Sequence, residues 1–283
     1  MTTTLTTSGS KATISHKGAE LISLQDAQNT EFIWEGNPEF WGKHSPVLFP
    51  IVGTLKNNSY QYDKKTYHLS RHGFARDMEF SIIEKTENSV TFSLSSSAET
   101  LKVYPFEFEL QLIYTLEDTG LSIQYRVFNN NDTEMPFSLG AHPAFALHGN
   151  FEDYSLLWTN NDPLHYNLLD KDLLSIVTQT LVLKDQKLAL DYQLFENDAL
   201  VFKTTKSKSV TILQKDKPLL KITFEDFPSL GIWTKVGAPF ICIEPWFGYS
   251  DPIDANGNIL EKEAIRILES KAQFQAALQI SIF

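Results

Sequence analysis

One cysteine, Cys242, is the whole thiol content of this 283-residue sequence. An internal disulfide framework is therefore excluded, and a reducing compartment, the cytoplasm, is the expected setting. Positive charge is scarce as well: 24 Lys and Arg stand against 35 Asp and Glu, a formal net charge of −11. No basic stripe exists to neutralise phosphates, so a nucleic-acid partner is not expected. The same acidity argues against docking on an anionic membrane. Nor does any apolar run approach the ~18 residues that a membrane-spanning helix needs. The opening MTTTLTTSGSK lacks the charged start and apolar stretch of a secretory leader. Its Thr/Ser-rich first ~10 residues read as floppy. G-x-S-x-G, Walker and G-x-G-x-x-G patterns are missing too, which removes the commonest hydrolase, nucleotide and dinucleotide sites.

What the sequence does hold is apolar and aromatic: 42% hydrophobic residues, with 20 Phe and 10 Tyr. Disorder is excluded on that composition. The dominant period is two. Phe106, Phe108, Leu110, Leu112 and Tyr114 alternate with polar or outward residues, Asp118-Thr119-Gly120 supplies a turn, and Leu121, Ile123, Tyr125 and Val127 resume the rhythm. Such alternation is what a strand burying one face requires, and the two runs predict an antiparallel hairpin. The pattern repeats around Asp63-Lys64-Lys65, before and after Lys85–Ser89, and around Lys215-Asp216-Lys217-Pro218. Many short strands joined by polar turns indicate an all-β fold, a large antiparallel β-sandwich. A short helical turn is expected near 262–267 and a closing strand from about 273. No linker, composition shift or internal repeat divides the chain, so one domain over 1–283 is the expectation.

Four segments break the rhythm with residues that core packing does not need: Ser45–Gly53, Arg71–Asp77, Leu139–Phe145 and Phe240–Asp251. In the last, Ile241 and Ile243 share one strand face while Phe240, Cys242 and Glu244 share the other. Glu244 thus ends an apolar strand beside Pro245, Trp246, Phe247 and Tyr249. A carboxylate desolvated by those rings has its pKa pushed up, which suits a general acid or base; the plainer alternative is a strand-end Glu that is solvated or paired with Arg. Aromatic neighbours also suit a sugar, whose C–H faces pack on rings. His142 lies on the opposite phase from Phe137, Leu139 and Ala141, and Pro143 ends the ladder there. An imidazole so placed can donate a proton near neutral pH, or serve structure alone. Arg71, His72 and Arg76 surround a Gly and could grip hydroxyls or a phosphate, or pair with Asp77 and Glu79 on the surface. His68 and His72 lack a helical HExxH context, so a zinc site is not expected. Cys242, in an apolar strand, reads as an inert thiol.

Taken together and in order, these segments resemble the aldose 1-epimerase (galactose mutarotase-like) family, nearest its LacX-like branch. Gly18-Ala19-Glu20-Leu21, Glu31-Phe32-Ile33-Trp34 and Phe40-Trp41 fit that branch, and the His72-Gly73-Phe74-Ala75-Arg76 stretch is similar to hexose-6-phosphate mutarotases. The resemblance covers about residues 10–283 and implies a supersandwich with its sugar site on a sheet face and no metal or coenzyme. It also implies an acid at His142, a base at Glu244 and a second catalytic histidine at His72. Arg71, Arg76, Lys56 and Trp246 are the expected substrate contacts. Where family members often carry Arg after a Gly, this chain has Gly53-Thr54, with Lys56 nearby. The implied activity is interconversion of the anomers of a hexose or hexose phosphate, in a monomer or homodimer. Two other readings stand beside it: a non-catalytic carbohydrate-binding sandwich, and a glycosidase in which Asp226 or Glu225 joins Glu244 as the second of two carboxylates.

Overall fold

The computed structural model describes residues 1–283. The alternation becomes a nine-stranded antiparallel sheet and an eight-stranded sheet, with three smaller ones beside them. Strands Phe108–Glu117 and Gly120–Asn129 form the expected hairpin, with Leu110, Leu112, Tyr114 and Leu116 opposite Val127, Tyr125, Ile123 and Leu121. All eight are buried. A slip of one residue would turn that whole set to water, at roughly 1.5–3 kcal/mol per large apolar side chain.

Strand Gln273–Ile282 starts where the sequence places it. It pairs with Gly120–Asn129 on one side and Lys217–Thr223 on the other. It therefore lies in the interior of the nine-stranded sheet, with four strands on each side.

The eight-stranded sheet runs Leu173–Leu181, Leu164–Asp170, Leu200–Phe202, Ser229–Trp233, Phe240–Phe247, Leu139–Ala141 and Val47–Leu48, with Ala144–Ala146 also paired to Phe240–Phe247. Its inner residues Leu139, Ala141, Ile232, Ile241 and Ile243 join Leu110, Ile123, Ile222 and Leu278 of the other sheet in one core of 64 buried residues. The two sheets thus face each other as a sandwich. The opposite face of Phe240–Phe247 is buried as well, but in two small clusters. Phe240 and Cys242 pack with Trp34, Ala144 and Ala238, while Trp246 packs with Leu48, Val52, Leu174, Val201 and Tyr249. Glu244 stands between them.

Two local expectations need correction. The N-terminal Thr/Ser run is ordered: Thr2–Thr6 is a strand paired with Ser10–Ser15. Thr3 and Leu5 point inward and alternate with exposed threonines. Thr fits a half-buried pleated surface well, but its hydroxyl hides the period in a polarity reading. The helical turn near 262–267 is absent. A 3-10 turn occupies Ile259–Glu261, and Arg266–Leu268 is a strand paired with Met135–Phe137. The one α-helix, Ala98–Val103, is held by a capping box between Ser97 and Thr100, and no helix is long and apolar enough to cross a membrane.

Candidate active site

The outward face of the eight-stranded sheet carries a cavity of about 270 Å³. His142, Glu244, His72, Arg71, Arg76 and Trp246 all line it, although they come from three segments far apart in sequence. Strand phase explains two of them. Gly140 and Glu244 face away from the shared core because Leu139, Ala141, Ile241 and Ile243 face into it. His142 follows directly from the end of Leu139–Ala141. The result places His142 Nε2 at 3.2 Å from Glu244 Oε2, with side chains 10% and 2% exposed.

Trp246 forms one wall by lying flat over its neighbours. A Cβ at Gly231, on the adjacent strand, would overlap the Trp246 ring, and one at Gly140 would come within 2.7 Å of it. Those glycines are the absence that the indole fills. His72 is set by a turn in which His72 (φ 68°) and Gly73 (φ 70°) are both left-handed. A β-carbon at Gly73 would collide with the Phe49 carbonyl, so the second position requires glycine. The turn is tied to the Gly53 loop twice. His72 N–H donates to Gly53 O at 2.8 Å, and Gly53 N–H donates to His72 Nδ1 at 3.1 Å.

That last bond fixes the tautomer. Burial, with neighbouring His142, Arg71 and Arg76 adding to it, holds His72 well below the ordinary imidazole pKa. A neutral ring has only one accepting nitrogen. The backbone donor of Gly53 is buried and cannot turn elsewhere, so Nδ1 accepts and Nε2 carries the hydrogen. Arg71 Nε sits 3.2 Å from that Nε2. The Arg71 N–H is directed at that nitrogen, which in this tautomer cannot accept it, so it serves an acceptor oxygen only by turning away from His72.

Burial also sets the neighbouring pair. His142 is pushed down to about 3, with Arg71 and Arg76 acting in the same direction. Glu244 is pushed well above the usual carboxylate range by burial, with Asp198 adding and Arg71 opposing. Both shifts have one meaning: the neutral forms are favoured. Glu244 Oε2, His142 Nδ1 and Trp246 Nε1 have no hydrogen-bond partner in the protein. Buried polar atoms are nearly always partnered, so this cluster reads as a ligand site. The Cys242 thiol lies with His142 and Glu244 inside 4.8 Å. Burial raises its pKa far up, so it packs as a neutral thiol.

Trp41, Trp233 and Asp198 are among the lining residues that the sequence does not assign to the site. Trp41 stacks on the His142 ring at 4.8 Å and 22°, and Trp233 meets it edge-on at 5.9 Å and 81°. Both read as ordinary hydrophobic residues in the sequence. Asp198 also lines the cavity. It sits in a loop with φ 71°, and only its place just before the apolar run Ala199–Phe202 sets it apart from other acids. Lys56 is not among the residues that line the cavity. Its Nζ instead donates to Ala255 O at 3.1 Å. Asp226 and Glu225 do not line it either, and Asp226 accepts the Ala277 N–H at 2.9 Å.

Comparison with known proteins gives one consistent result. Residues 1–265 match the family model described as aldose 1-epimerase. Protein LacX (plasmid) of Lactococcus lactis subsp. lactis is 38% identical over 259 residues, covering 86% of each chain. A galactose mutarotase related enzyme from Lactobacillus acidophilus superposes with a TM-score of 0.95 at 35% identity, covering 100% of this chain and 97% of that one. A galactose mutarotase-like protein from Lactobacillus casei gives 0.95 at 33% identity, with 100% of both chains covered.

Proposed function

The chain belongs to the aldose 1-epimerase family, and we propose that it interconverts the α and β anomers of a hexose or hexose phosphate by acid–base ring opening and closing. The observation that carries this reading is the buried pair His142 and Glu244, 3.2 Å apart at the wall of a monosaccharide-sized cavity.

The reaction needs two proton transfers and nothing else. Glu244, as carboxylate, takes the O1 proton. The C1–O1 bond becomes a carbonyl as C1–O5 breaks, and His142, as imidazolium, gives its proton to O5. Rotation about C1–C2 turns the other carbonyl face, and the reverse transfers close the opposite anomer. Across ring opening the pair moves from carboxylate and imidazolium to carboxylic acid and neutral imidazole. That second distribution is the one burial favours. The ion-paired form that starts the reaction lies above this resting distribution, so one proton must first pass from Glu244 to His142, and ring opening then returns the pair to its favoured neutral form. General acid–base help of this kind is worth roughly 10²–10⁴-fold per group. His72 Nε2–H stabilises charge at the ring oxygen, and Arg71 orients hydroxyls. Trp246 and Trp41 offer ring faces to the sugar's C–H surface.

Polarimetry on freshly dissolved α-galactose, α-glucose and α-glucose 6-phosphate tests the reading. Faster approach to an unchanged final rotation supports it. Sugar binding without acceleration would instead identify a carbohydrate-binding module. Release of reducing sugar from a glycoside would identify a hydrolase.

A further inference from the structure

Arg71 reaches the cavity with its charge already engaged. Its Nη1 donates to Asp172 Oδ1 at 2.8 Å, and Nη2 lies 3.8 Å from Asp198 Oδ2. Asp198 lines the cavity; Asp172 does not. Asp172 belongs to the tip of the hairpin formed by Leu164–Asp170 and Leu173–Leu181. Lys171 (φ 50°) and Asp172 (φ 68°) make a two-residue left-handed loop, the geometry that matches strand twist in tight hairpins. The loop end of this hairpin is tied to the site. Leu174 N–H donates to Asp251 O at 2.8 Å, and the Leu174 side chain is buried in the cluster that holds Trp246. The carboxylate of Asp172 is thus brought to Arg71 by a built element, across 101 positions of sequence.

We propose that Asp172 is a positioning and specificity-determining residue of the sugar site, acting through Arg71. The inference rests on the mutarotase reading above. A guanidinium offers five N–H donors in a planar fork, the shape that clamps a phosphate with two parallel bonds. Here Asp172 occupies Nη1, Asp198 faces Nη2, and Nε is turned to His72 Nε2 at 3.2 Å. Held so, Arg71 keeps no free parallel fork, and what it still offers the cavity is a single-donor contact for one neutral sugar hydroxyl. An anionic substituent at the same place meets two carboxylates on the far side of the guanidinium, and such like-charge juxtaposition selects against it. Arg76 gives its Nη2 to the Arg71 carbonyl at 2.8 Å, while its buried Nε, 3.8 Å from Asp77, has no hydrogen-bond partner. Lys56 is outside the cavity.

The experiment is a double-mutant cycle with two probes, α-glucose and α-glucose 6-phosphate, read by polarimetry in wild type, Asp172→Asn, Arg71→Gln and the double variant. Asn accepts the left-handed backbone of residue 172, so the loop survives. The expected result is a rise of about fivefold in the ratio of kcat/KM for the phosphate to that for the free sugar in Asp172→Asn, the scale of one partly exposed charge pair. The change appears mainly in KM, and it vanishes in the Arg71→Gln background, because the effect passes through Arg71. An unchanged ratio would overturn the assignment. So would an equal shift when Arg71 is absent. Acceleration of neither sugar by wild type would defeat the mutarotase reading, and the role of Asp172 with it; a failure confined to the ratio leaves that reading standing.

Discussion

At the scale of single residues, the proposed chemistry falls where side chains contradict their surroundings. Glu244 and His142 were legible because each is polar in an apolar stretch next to a proline; His142 does follow a strand end, whereas Glu244, expected to end its strand, lies inside Phe240–Phe247, which runs on through Pro245 and Trp246. Trp41 and Trp233 were not, because an aromatic in an apolar context carries no mark that separates wall from core. Glu244→Gln keeps the shape and removes the proton exchange, so kcat is expected to fall about 10²–10⁴-fold with KM little changed. The same variant is expected to be more stable than wild type near neutral pH. A carboxyl whose folded pKa is raised loses stability as pH climbs from its unfolded value toward the folded one, and Gln removes that penalty. Stopped-flow polarimetry and urea midpoints measured on one preparation separate the two effects. His142 has the opposite sign. Its folded pKa of about 3 lies below the unfolded 6.5, so the unfolded chain binds the proton first and stability drains away as pH falls from 6.5 toward 3. The contribution is on the order of a few kcal/mol. In His142→Gln the decline between pH 6.5 and 4 is therefore shallower than in wild type, with the remainder owed partly to His72, whose shift has the same direction. An equal decline in both proteins would mean that His142 is not held neutral.

At the scale of elements, the strand Phe240–Phe247 is built to have two insides. One face enters the common core, while the other supplies Glu244 and Trp246 between two minor clusters. The sequence showed this strand and its phase, since Ile241 and Ile243 separate cleanly from Cys242 and Glu244. It did not show the glycines on either side as part of the site. Gly231 and Gly140 belong to neighbouring strands, and pairing between strands distant in sequence leaves no trace in local periodicity. Gly231→Ala would force the Trp246 ring off its seat. The expected outcome is a KM raised about tenfold, with overpacking strain of about 1–3 kcal/mol, read by steady-state polarimetry and by the shift in tryptophan emission. An unmoved emission spectrum with normal KM would show that the ring does not shape the sugar site. The N-terminal strand failed to show itself for a different reason: threonine is at once a strand former and a polar residue, and Thr2–Thr6 is mostly threonine.

At the scale of the whole molecule, strand content and antiparallel architecture were plain from the recurring period of two, and the order of strands within the sheets was not. That order has consequences for Gln273–Ile282, which joins Lys217–Thr223 to Gly120–Asn129. Removing residues 273–283 leaves two four-stranded halves, each with a long unsatisfied edge of the kind that recruits other chains. Such a truncated protein is expected to be insoluble rather than soluble and inactive, as fractionation after expression would show; a soluble monomer with native circular dichroism would contradict the topology. In terms of assembly, the two halves can each pair locally, but neither can become part of one sheet until a segment more than 140 positions from the start of Gly120–Asn129 arrives between them. Non-local closure of this kind slows folding and prolongs the exposure of open edges. The late strand is a rate-setting latch: before it inserts, the chain is at its greatest risk of sticking to copies of itself, and a chaperone that shields β edges has its longest window of use.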